Sequence, residues 1–356
     1  MFKFRILRRY DISRRLKILI YLSSFAVGVF AFTLLEVAYG ADPYDVMNKL
    51  FIKPLISYTD FQITIRYAVP IGIISLGLTL AYKAGIYSIG AEGQMAIGAI
   101  FAAWVAYTLG YLESPLSIVL ALLVGLVGGL IWGLIPGILK GLLNVNEVLT
   151  TLMLNFIAYS LTDYLIYGPW RSPKAYGFPL TEPIPQAYVI PSYEGIPIIN
   201  VLIMLFSVIF VHVVIKKSVF GYQIRAYGLN PTAANSAGIS FFKIALLCLA
   251  LSGAFAGLAG SLQLLSVHNR LGPKSWSVSE GLGYTAIVSA WLARLEPWAI
   301  LPSAILLGAL INGGLTIKAV LGQPEGIVNI MNGVILLSII AAEFFINYKF
   351  IIRVRK

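Results

Sequence analysis

Long apolar runs separated by short polar breaks dominate the chain. A helix needs about 20 mostly apolar residues to cross the hydrocarbon core of a bilayer. Ten such runs lie near residues 18–38, 62–82, 94–110, 115–139, 147–167, 198–215, 243–265, 281–294, 298–317 and 326–346. The third and the eighth are short for a full crossing, so we expect them to be tilted, broken or re-entrant. The pattern predicts an all-α polytopic membrane protein with about ten transmembrane helices.

The composition supports a membrane protein. Hydrophobic residues make up 59% of the 356 residues and charged residues only 12%, against about 45–50% and about 25% in soluble domains. A signal peptide is the alternative for the first run, but residues 18–38 exceed the 7–15 apolar residues of such a peptide. We therefore predict a retained helix and a single transmembrane domain over residues 18–346, between basic ends at 1–17 and 347–356.

The net charge of +11 suggests nucleic-acid binding until the basic residues are located. They lie at the ends of apolar runs and in a few loops, which indicates membrane topology and argues against a nucleic-acid partner. With ten spans and a cytoplasmic N-terminus, 18 of the 26 Lys and Arg residues fall on the inner side. This topology predicts a multi-pass protein of the cell membrane with both termini in the cytoplasm. It also places loop 216–242 inside and loop 168–197 outside.

The outer loop 168–197 is rich in proline and tyrosine. Proline stiffens extended backbone, and tyrosine suits the membrane–water boundary. The loop is either an ordered cap over the helices or a docking surface for an external partner.

Two segments resemble each other weakly. Residues 91–104 and 279–291 each begin with a small residue followed by Glu-Gly and end in Ala-Trp. In the predicted topology the first starts inside and the second outside. This is the arrangement of an inverted repeat, which many transporters use to form a pathway at the midplane. Chance similarity between helices rich in glycine and alanine is the alternative.

Polar side chains within the apolar runs are the candidate pathway residues, because such groups in a membrane usually face protein or a water-filled cavity. The candidates are Glu92, Gln94, Asn146, Glu147, Thr151, Asn155, Glu280 and Asn312. Glu147, Thr151 and Asn155 are spaced i, i+4, i+8, so on a helix they share one face. The alternative for each residue is an interhelical hydrogen bond or a helix cap.

Other chemistry has little support in the sequence. There is no G-x-x-x-x-G-K-[ST] motif for ATP, no Cys/His metal spacing and no catalytic order of residues. We expect no catalytic residue, metal or cofactor in this chain. The glycine-rich runs 125–133, 252–261 and 307–314 predict closely packed helices.

Within loop 216–242, Gly221 and Gly228 predict turns. Asn230 and Pro231 are a helix-start signal, with Asn as the N-cap and Pro at the first position. The stretch that follows predicts a short helix with a small-residue surface, which Gly238 ends.

Three motifs resemble a known family. GIYSIGAEGQMAIGA (residues 85–99) resembles the Asn-Ile-Gly-Ala-Glu-Gly-Gln motif of ABC-importer permeases in the branched-chain amino acid/ribose superfamily. NEVLTTLMLNFIA resembles a motif of the branch that handles simple sugars and nucleosides. GYQIRAYGLNPTAANSAGIS resembles the cytoplasmic loop of those permeases that meets their ATPase. The sequence departs from the family at Tyr87 and Ser88, where asparagine is common.

The resemblance implies the membrane subunit of an ATP-driven importer for nucleosides or related sugar-containing solutes. It implies a P-loop ATPase that binds the ATP, a second permease subunit and an external substrate-binding lipoprotein. On the ATPase side it implies coupling residues within the loop. These are Gly221, Arg225, Gly228, Asn230, Pro231, Ala234 and Gly238.

Several alternatives remain open at this point. Ribose-like sugars or branched-chain amino acids are alternative solutes. An ion-coupled secondary transporter is a second functional class, which Glu92 and Glu147 keep open. A membrane enzyme or scaffold is a third.

Overall fold

The computed structural model describes residues 2–8, 13–111, 114, 116–273, 278–322 and 326–354. Parts of the predicted basic ends, residues 1, 9–12 and 355–356, lie outside the described residues. Within the described residues the α-helices and strands have the following bounds: β1 Phe2–Arg8, α1 Arg14–Ala38, α2 Pro43–Met47, α3 Lys53–Ile56, α4 Tyr58–Lys83, α5 Ala91–Thr108, α6 Leu116–Leu143, α7 Glu147–Tyr167, α8 Ile198–Lys217, α9 Val219–Leu229, α10 Pro231–Ser236, α11 Phe241–Gln263, α12 Leu282–Leu292, α13 Pro297–Leu321, α14 Ile327–Asn347 and β2 Tyr348–Val354. Short π-helical stretches follow α2 and α11, at Asn48–Ile52 and Leu264–His268.

Each of the ten predicted spans coincides with a helix. Within the described part of the chain, seven helices are long and apolar enough to cross a membrane: α1, α4, α6, α7, α8, α11 and α13. Of the two spans predicted to be short, the third corresponds to α5 with 18 residues and the eighth to α12 with 11. The all-α polytopic class is therefore confirmed, while a total of about ten crossings stays a prediction.

The chain divides into two compact units. Residues 1–57 with 310–356 form the first unit, and residues 58–309 form the second. Helix α13 begins in the second unit and ends in the first. The predicted single domain over 18–346 stays a prediction.

In the first unit the two ends of the chain pair with each other. Strand β1 runs antiparallel to β2, with a register from Phe2 opposite Val354 to Arg8 opposite Tyr348. This small sheet lies outside the predicted spans. Helices α1 and α14 approach closely at Gly28, where an added Cβ would lie 2.7 Å from the Ser338 Oγ.

In the second unit, glycines set the distance between the central helices α6 and α11. A Cβ added at Gly129 would lie 2.2 Å from the carbonyl oxygen of Gly253, and one at Gly133 would lie 2.4 Å from that of Leu249. A larger residue at either position would force the two backbones apart. The close packing predicted from the glycine runs of these helices is confirmed.

Helices α5 and α12 both follow non-helical backbone. The α4–α5 link (residues 84–90) precedes α5, and residues 269–281, of which 274–277 lie outside the description, precede α12. The first turns of the two helices meet, because a Cβ added at Gly283 would lie 2.4 Å from the backbone nitrogen of Glu92. The two similar sequence segments thus begin side by side. Their descent from an inverted repeat stays a prediction.

Loop 168–197 is ordered against the segment that follows α11. The backbone N–H groups of Thr181, Ile184 and Ile190 donate to the carbonyls of Leu271, Asn269 and Leu265, respectively, at 2.8–3.1 Å. The Tyr188 side chain is fully buried and donates to the carbonyl of Leu109 at 2.8 Å. The loop is therefore an ordered cap, and its role as a docking surface stays a prediction.

Candidate functional site

One face of α7 carries a stripe of buried polar side chains. Glu147, Thr151 and Asn155 are 8%, 0% and 1% exposed, so the predicted shared face is confirmed. We call them the α7 polar stripe. Glu147 Oε1 accepts from the N–H of Tyr87 at 3.2 Å, and Thr151 Oγ1 accepts from the N–H of Ile89 at 3.1 Å. The stripe thus supplies acceptors to the non-helical α4–α5 link.

Asn155 satisfies backbone groups at the point where α5 begins. Its Oδ1 accepts from the N–H of Gly93 at 2.9 Å, and its Nδ2 donates to the carbonyl of Ile89 at 2.9 Å and to Tyr284 Oη at 3.3 Å. The first N–H groups of a helix have no partner within it. A side chain on α7 therefore caps α5. Gly93 is required here, because an added Cβ would lie 2.8 Å from the Cα of Asn155.

Glu92 caps the start of α12 in the same way. Its Oε1 accepts from the N–H of Gly281 at 2.8 Å and from Tyr159 Oη at 2.9 Å, and its Oε2 accepts from the N–H of Gly283 at 2.7 Å. The carboxylate is fully buried. Gly281, the N-cap residue of α12, has no side chain to cap the helix. A negative charge also suits the positive end of the helix dipole.

Tyr159 and Tyr284 belong to this cluster but are absent from the sequence-based set. Tyr159 follows Glu147, Thr151 and Asn155 at the next interval of four, so it continues the α7 polar stripe toward Glu92. That spacing was the available signal. Nothing in the sequence marks Tyr284, which joins the cluster only because α12 packs beside α5 and α7.

The other predicted pathway residues occupy separate positions. Asn146 is an exposed N-cap of α7, whose Oδ1 accepts from the N–H of Val148 at 2.9 Å. Gln94 is 1% exposed and its Oε1 has no hydrogen-bond partner within the described residues. Glu280 Oε1 lies 3.6 Å from His268 Nε2. Asn312 is buried in the first unit.

Tyr87, in the middle of the α4–α5 link, belongs to a group of stacked aromatic rings. The ring of Tyr87 stacks on Trp291 with centroids 6.2 Å apart, and Trp291 stacks on Tyr82 at 5.5 Å. Tyr87 is 48% exposed, whereas Tyr82 is buried. The position where the sequence departs from the family motif therefore carries a half-exposed ring at the surface of the unit.

The predicted loop 216–242 contains two helices. Helix α8 ends at Lys217, and Ser218 caps α9 by accepting from the N–H of Gly221 at 2.9 Å. The predicted turns at Gly221 and Gly228 are wrong, because both lie inside α9. The two glycines instead allow α9 to approach its neighbours closely. A Cβ added at Gly221 would lie 2.1 Å from the carbonyl oxygen of Val214.

The second helix of the loop matches the prediction. Asn230 caps α10 through Oδ1, which accepts from the N–H of Ala233 at 3.1 Å, and Pro231 is the first helical residue. Gly238 ends the helix in the left-handed conformation, with φ of +82°. We call α9 and α10 together the α9–α10 pair.

The α9–α10 pair presents small and apolar groups to solvent. Leu229, Val219 and Tyr222 are 87%, 76% and 62% exposed. On α10 only Ala234 is buried. Arg225 is partly exposed, and its Nη1 is buried without a hydrogen-bond partner within the described residues. This surface is suited to contact another protein.

The pair is also attached to the helices behind it. A Cβ added at Gly228 would lie 2.0 Å from the carbonyl oxygen of Lys83, the last residue of α4. The Lys83 ammonium lies 3.2 Å from Glu296, and the Lys216 ammonium lies 3.8 Å from the other carboxylate oxygen. The ends of α4 and α8 and the loop after α12 are thus linked beside α9.

Metal chemistry has no support in the described residues, since no group of three His, Cys, Asp or Glu side chains there could hold an ion. The single cysteine, Cys248, is buried in α11. The arrangement instead offers buried polar groups around the non-helical segments before α5 and α12, and an exposed helix pair connected to them.

Comparison with known proteins identifies relatives of this chain. Residues 61–340 match the family described as the permease component of branched-chain amino acid transport systems. A glucose ABC transporter permease protein of Haloferax volcanii is 31% identical, over 93% of this chain and 88% of its own length. A guanosine ABC transporter permease protein of Bacillus subtilis is 31% identical, over 80% and 82% of the two chains.

A nucleoside ABC transporter permease protein of Lactococcus lactis is 28% identical, over 95% of this chain and 93% of its own. In each of these three organisms a second permease protein with the same solute in its name also matches, at 24–26% identity.

Proposed function

This chain belongs to the permease-component family of branched-chain amino acid transport systems, and from that membership we propose that it forms the translocation path of an ATP-driven importer for nucleosides or related sugar-containing solutes. The predicted resemblance is confirmed by the match over residues 61–340. Transport, not enzymatic catalysis, is the role of such permeases. We further propose that ATP is bound and hydrolysed by a partner subunit and that this chain has no cofactor of its own.

The observation that carries the proposal is the α9–α10 pair. Its sequence resembles the loop by which such permeases meet their ATPase, and it exposes Leu229, Val219 and Tyr222 beyond the ends of the membrane helices. At the same time Gly228 is packed on Lys83, the residue before the α4–α5 link. A protein bound to the exposed surface of the α9–α10 pair would therefore act on the non-helical backbone of the α4–α5 link.

We assign the pathway to the region around the α4–α5 link and the starts of α5 and α12. Irregular backbone at membrane depth is tolerated only where it is buried in protein or lines a cavity. Glu92, Thr151 and Asn155 hold that backbone through hydrogen bonds. We propose that these three side chains fix the shape of the pathway.

Nucleosides are the first solute class to test, because two of the three relatives are named for guanosine or nucleosides. Simple sugars are the second candidate, since the relative from Haloferax volcanii is named for glucose and matches 93% of this chain. Both classes share a ring with several hydroxyl groups.

The proposed assembly contains a second permease, a P-loop ATPase and an external substrate-binding lipoprotein. The matching pairs of permease proteins in three organisms support two different permease subunits. The exposed aromatic rings of loop 168–197, Tyr176 at 97% and Phe178 at 68%, support an outer docking surface. The pairing of β1 with β2 supports chain ends on one side of the membrane, and from their basic residues we propose that this side is the cytoplasm.

The test is reconstitution of the chain with its partner subunits in liposomes, followed by uptake of guanosine, uridine, ribose, glucose and leucine. We expect ATP-dependent uptake of a nucleoside or a sugar, and loss of that uptake when Gly228 or Pro231 is replaced by tryptophan. Uptake that follows an ion gradient without any ATPase would contradict the proposal. Intact uptake in both tryptophan variants would contradict the assignment of the α9–α10 pair to coupling.

A further inference from the structure

The α4–α5 link is connected to α9 at two points. At its start, Gly228 of α9 packs on the carbonyl of Lys83. In its middle, the N–H of Tyr87 donates to Glu147. Helix α9 does not reach this second point directly; a continuous series of side-chain contacts joins α9 to it.

The series begins with Tyr227, which neighbours Gly228 and is 9% exposed. Its ring stacks on Phe241 at the start of α11, with centroids 5.1 Å apart and planes 19° apart. The ammonium of Lys140 lies 5.9 Å from the centroid of Phe241, within the range of a cation–π contact. The same ammonium lies 2.9 Å from Glu147 Oε2. Four helices, α9, α11, α6 and α7, therefore meet through consecutive side chains.

The Lys140–Glu147 pair is sheltered from water. The two side chains are 17% and 11% exposed, so the interaction is screened less than a surface ion pair. The carboxylate divides its oxygens between two partners, with Oε2 on Lys140 and Oε1 on the N–H of Tyr87. A shift of the Lys140 ammonium must therefore move or release the acceptor that positions Tyr87.

We propose that Lys140 is a positioning residue that ties the α9–α10 pair to the α4–α5 link, so that displacement of α9 by a partner moves Tyr87. This inference rests on the proposed function. Tyr87 is half-exposed and stacked on Trp291, so its movement would separate or reorient these two rings. In this proposal Lys140 carries motion of the α9–α10 pair to the α4–α5 link.

The experiment measures ATP hydrolysed per solute taken up by the complete reconstituted transporter. In Lys140→Met the stem remains but the charge is gone, so both the contact with Phe241 and the pair with Glu147 are lost. We expect the ratio of ATP to solute to rise about tenfold, within the usual 5–150-fold range of coupling between sites. Lys140→Arg keeps the charge and should return the ratio to within about twofold of the original. A purely structural role would lower uptake and hydrolysis together and leave the ratio unchanged, which would overturn the inference.

A charge exchange separates the proposed arrangement from a simple ion pair. The double variant Lys140→Glu with Glu147→Lys restores opposite charges but offers no acceptor to the N–H of Tyr87 and no cation to Phe241. We expect it to remain uncoupled, and recovery of coupling would refute the role of Tyr87.

A matched control keeps the test specific. Lys49→Met removes a lysine of similar exposure, 14%, that pairs with Asp45 in the first unit, and it should leave the ratio unchanged. The proposed function fails separately: in that case the unmodified transporter itself shows no ATP-dependent uptake. Normal uptake with a normal ratio in Lys140→Met refutes the inference alone.

Discussion

Replacement of Glu92 by glutamine tests whether one buried side chain holds α12 in place. Glutamine has the same shape, so no cavity arises. It has one acceptor oxygen where the carboxylate has two, and the donors of Gly281, Gly283 and Tyr159 are fixed around it at 2.7–2.9 Å. At least one of them is left facing an amide NH₂ group.

The magnitude follows from two losses. A hydrogen bond to a charged group contributes about 1.5–3 kcal/mol. The charge at the N-terminus of α12 contributes about 0.3–1 kcal/mol more. Relief of the carboxylate's desolvation acts in the opposite direction and favours the lower end of the sum. We expect Glu92→Gln to lower the free energy of unfolding by about 2–3 kcal/mol.

The assay is unfolding of the purified chain by titration from a mild detergent into sodium dodecyl sulfate, followed by tryptophan fluorescence. Glu296→Gln is the matched control, because its carboxylate is 49% exposed and pairs only with Lys83 and Lys216 in the contacts described above. Exposed ion pairs contribute about 0–1 kcal/mol. If Glu92→Gln were no less stable than Glu296→Gln, the capping of α12 by Glu92 would be refuted.

Three further substitutions test other contacts. In the same unfolding assay, Asn155→Leu should lower the free energy of unfolding by about 2–4 kcal/mol, because the N–H of Gly93 and the carbonyl of Ile89 lose their partner. Asn155→Asp keeps the acceptor for Gly93 and should cost less, so equal losses in the two variants would contradict this account. Gly228→Ala should abolish ATP-dependent uptake because its Cβ would lie 2.0 Å from the carbonyl of Lys83, whereas uptake should survive an alanine in open space at Gly333 of α14. Asn230→Ala should destabilise α10 by about 1 kcal/mol and speed amide hydrogen exchange there, and Asn230→Asp should not; similar exchange in both would exclude the cap.

The sequence was sufficient for helices whose signals are local. Runs of apolar residues predicted the positions of ten helices, since a long apolar run can satisfy its backbone in a membrane only as a helix. The Asn230-Pro231 pair marked the start of α10 for the same reason, because an N-cap acts within one turn.

Local signals were insufficient where the role of a residue depends on its contact with another helix. Gly221 and Gly228 predicted turns, yet both lie in α9, where their missing side chains admit the carbonyls of Val214 and Lys83. A glycine that permits a turn and a glycine that permits close approach look alike in one sequence.

The candidate site shows the same division. The interval of four residues placed Glu147, Thr151 and Asn155 on one face, because helix geometry is fixed by the backbone. Only the tertiary structure showed that this face caps α5, that Glu92 caps α12, and that Lys140 lies between Phe241 and Glu147. The helices and the polar face of α7 followed from local sequence patterns. The partners of those polar groups were decided by packing, since residues such as Glu92 and Gly281, 189 positions apart, meet only when the helices assemble.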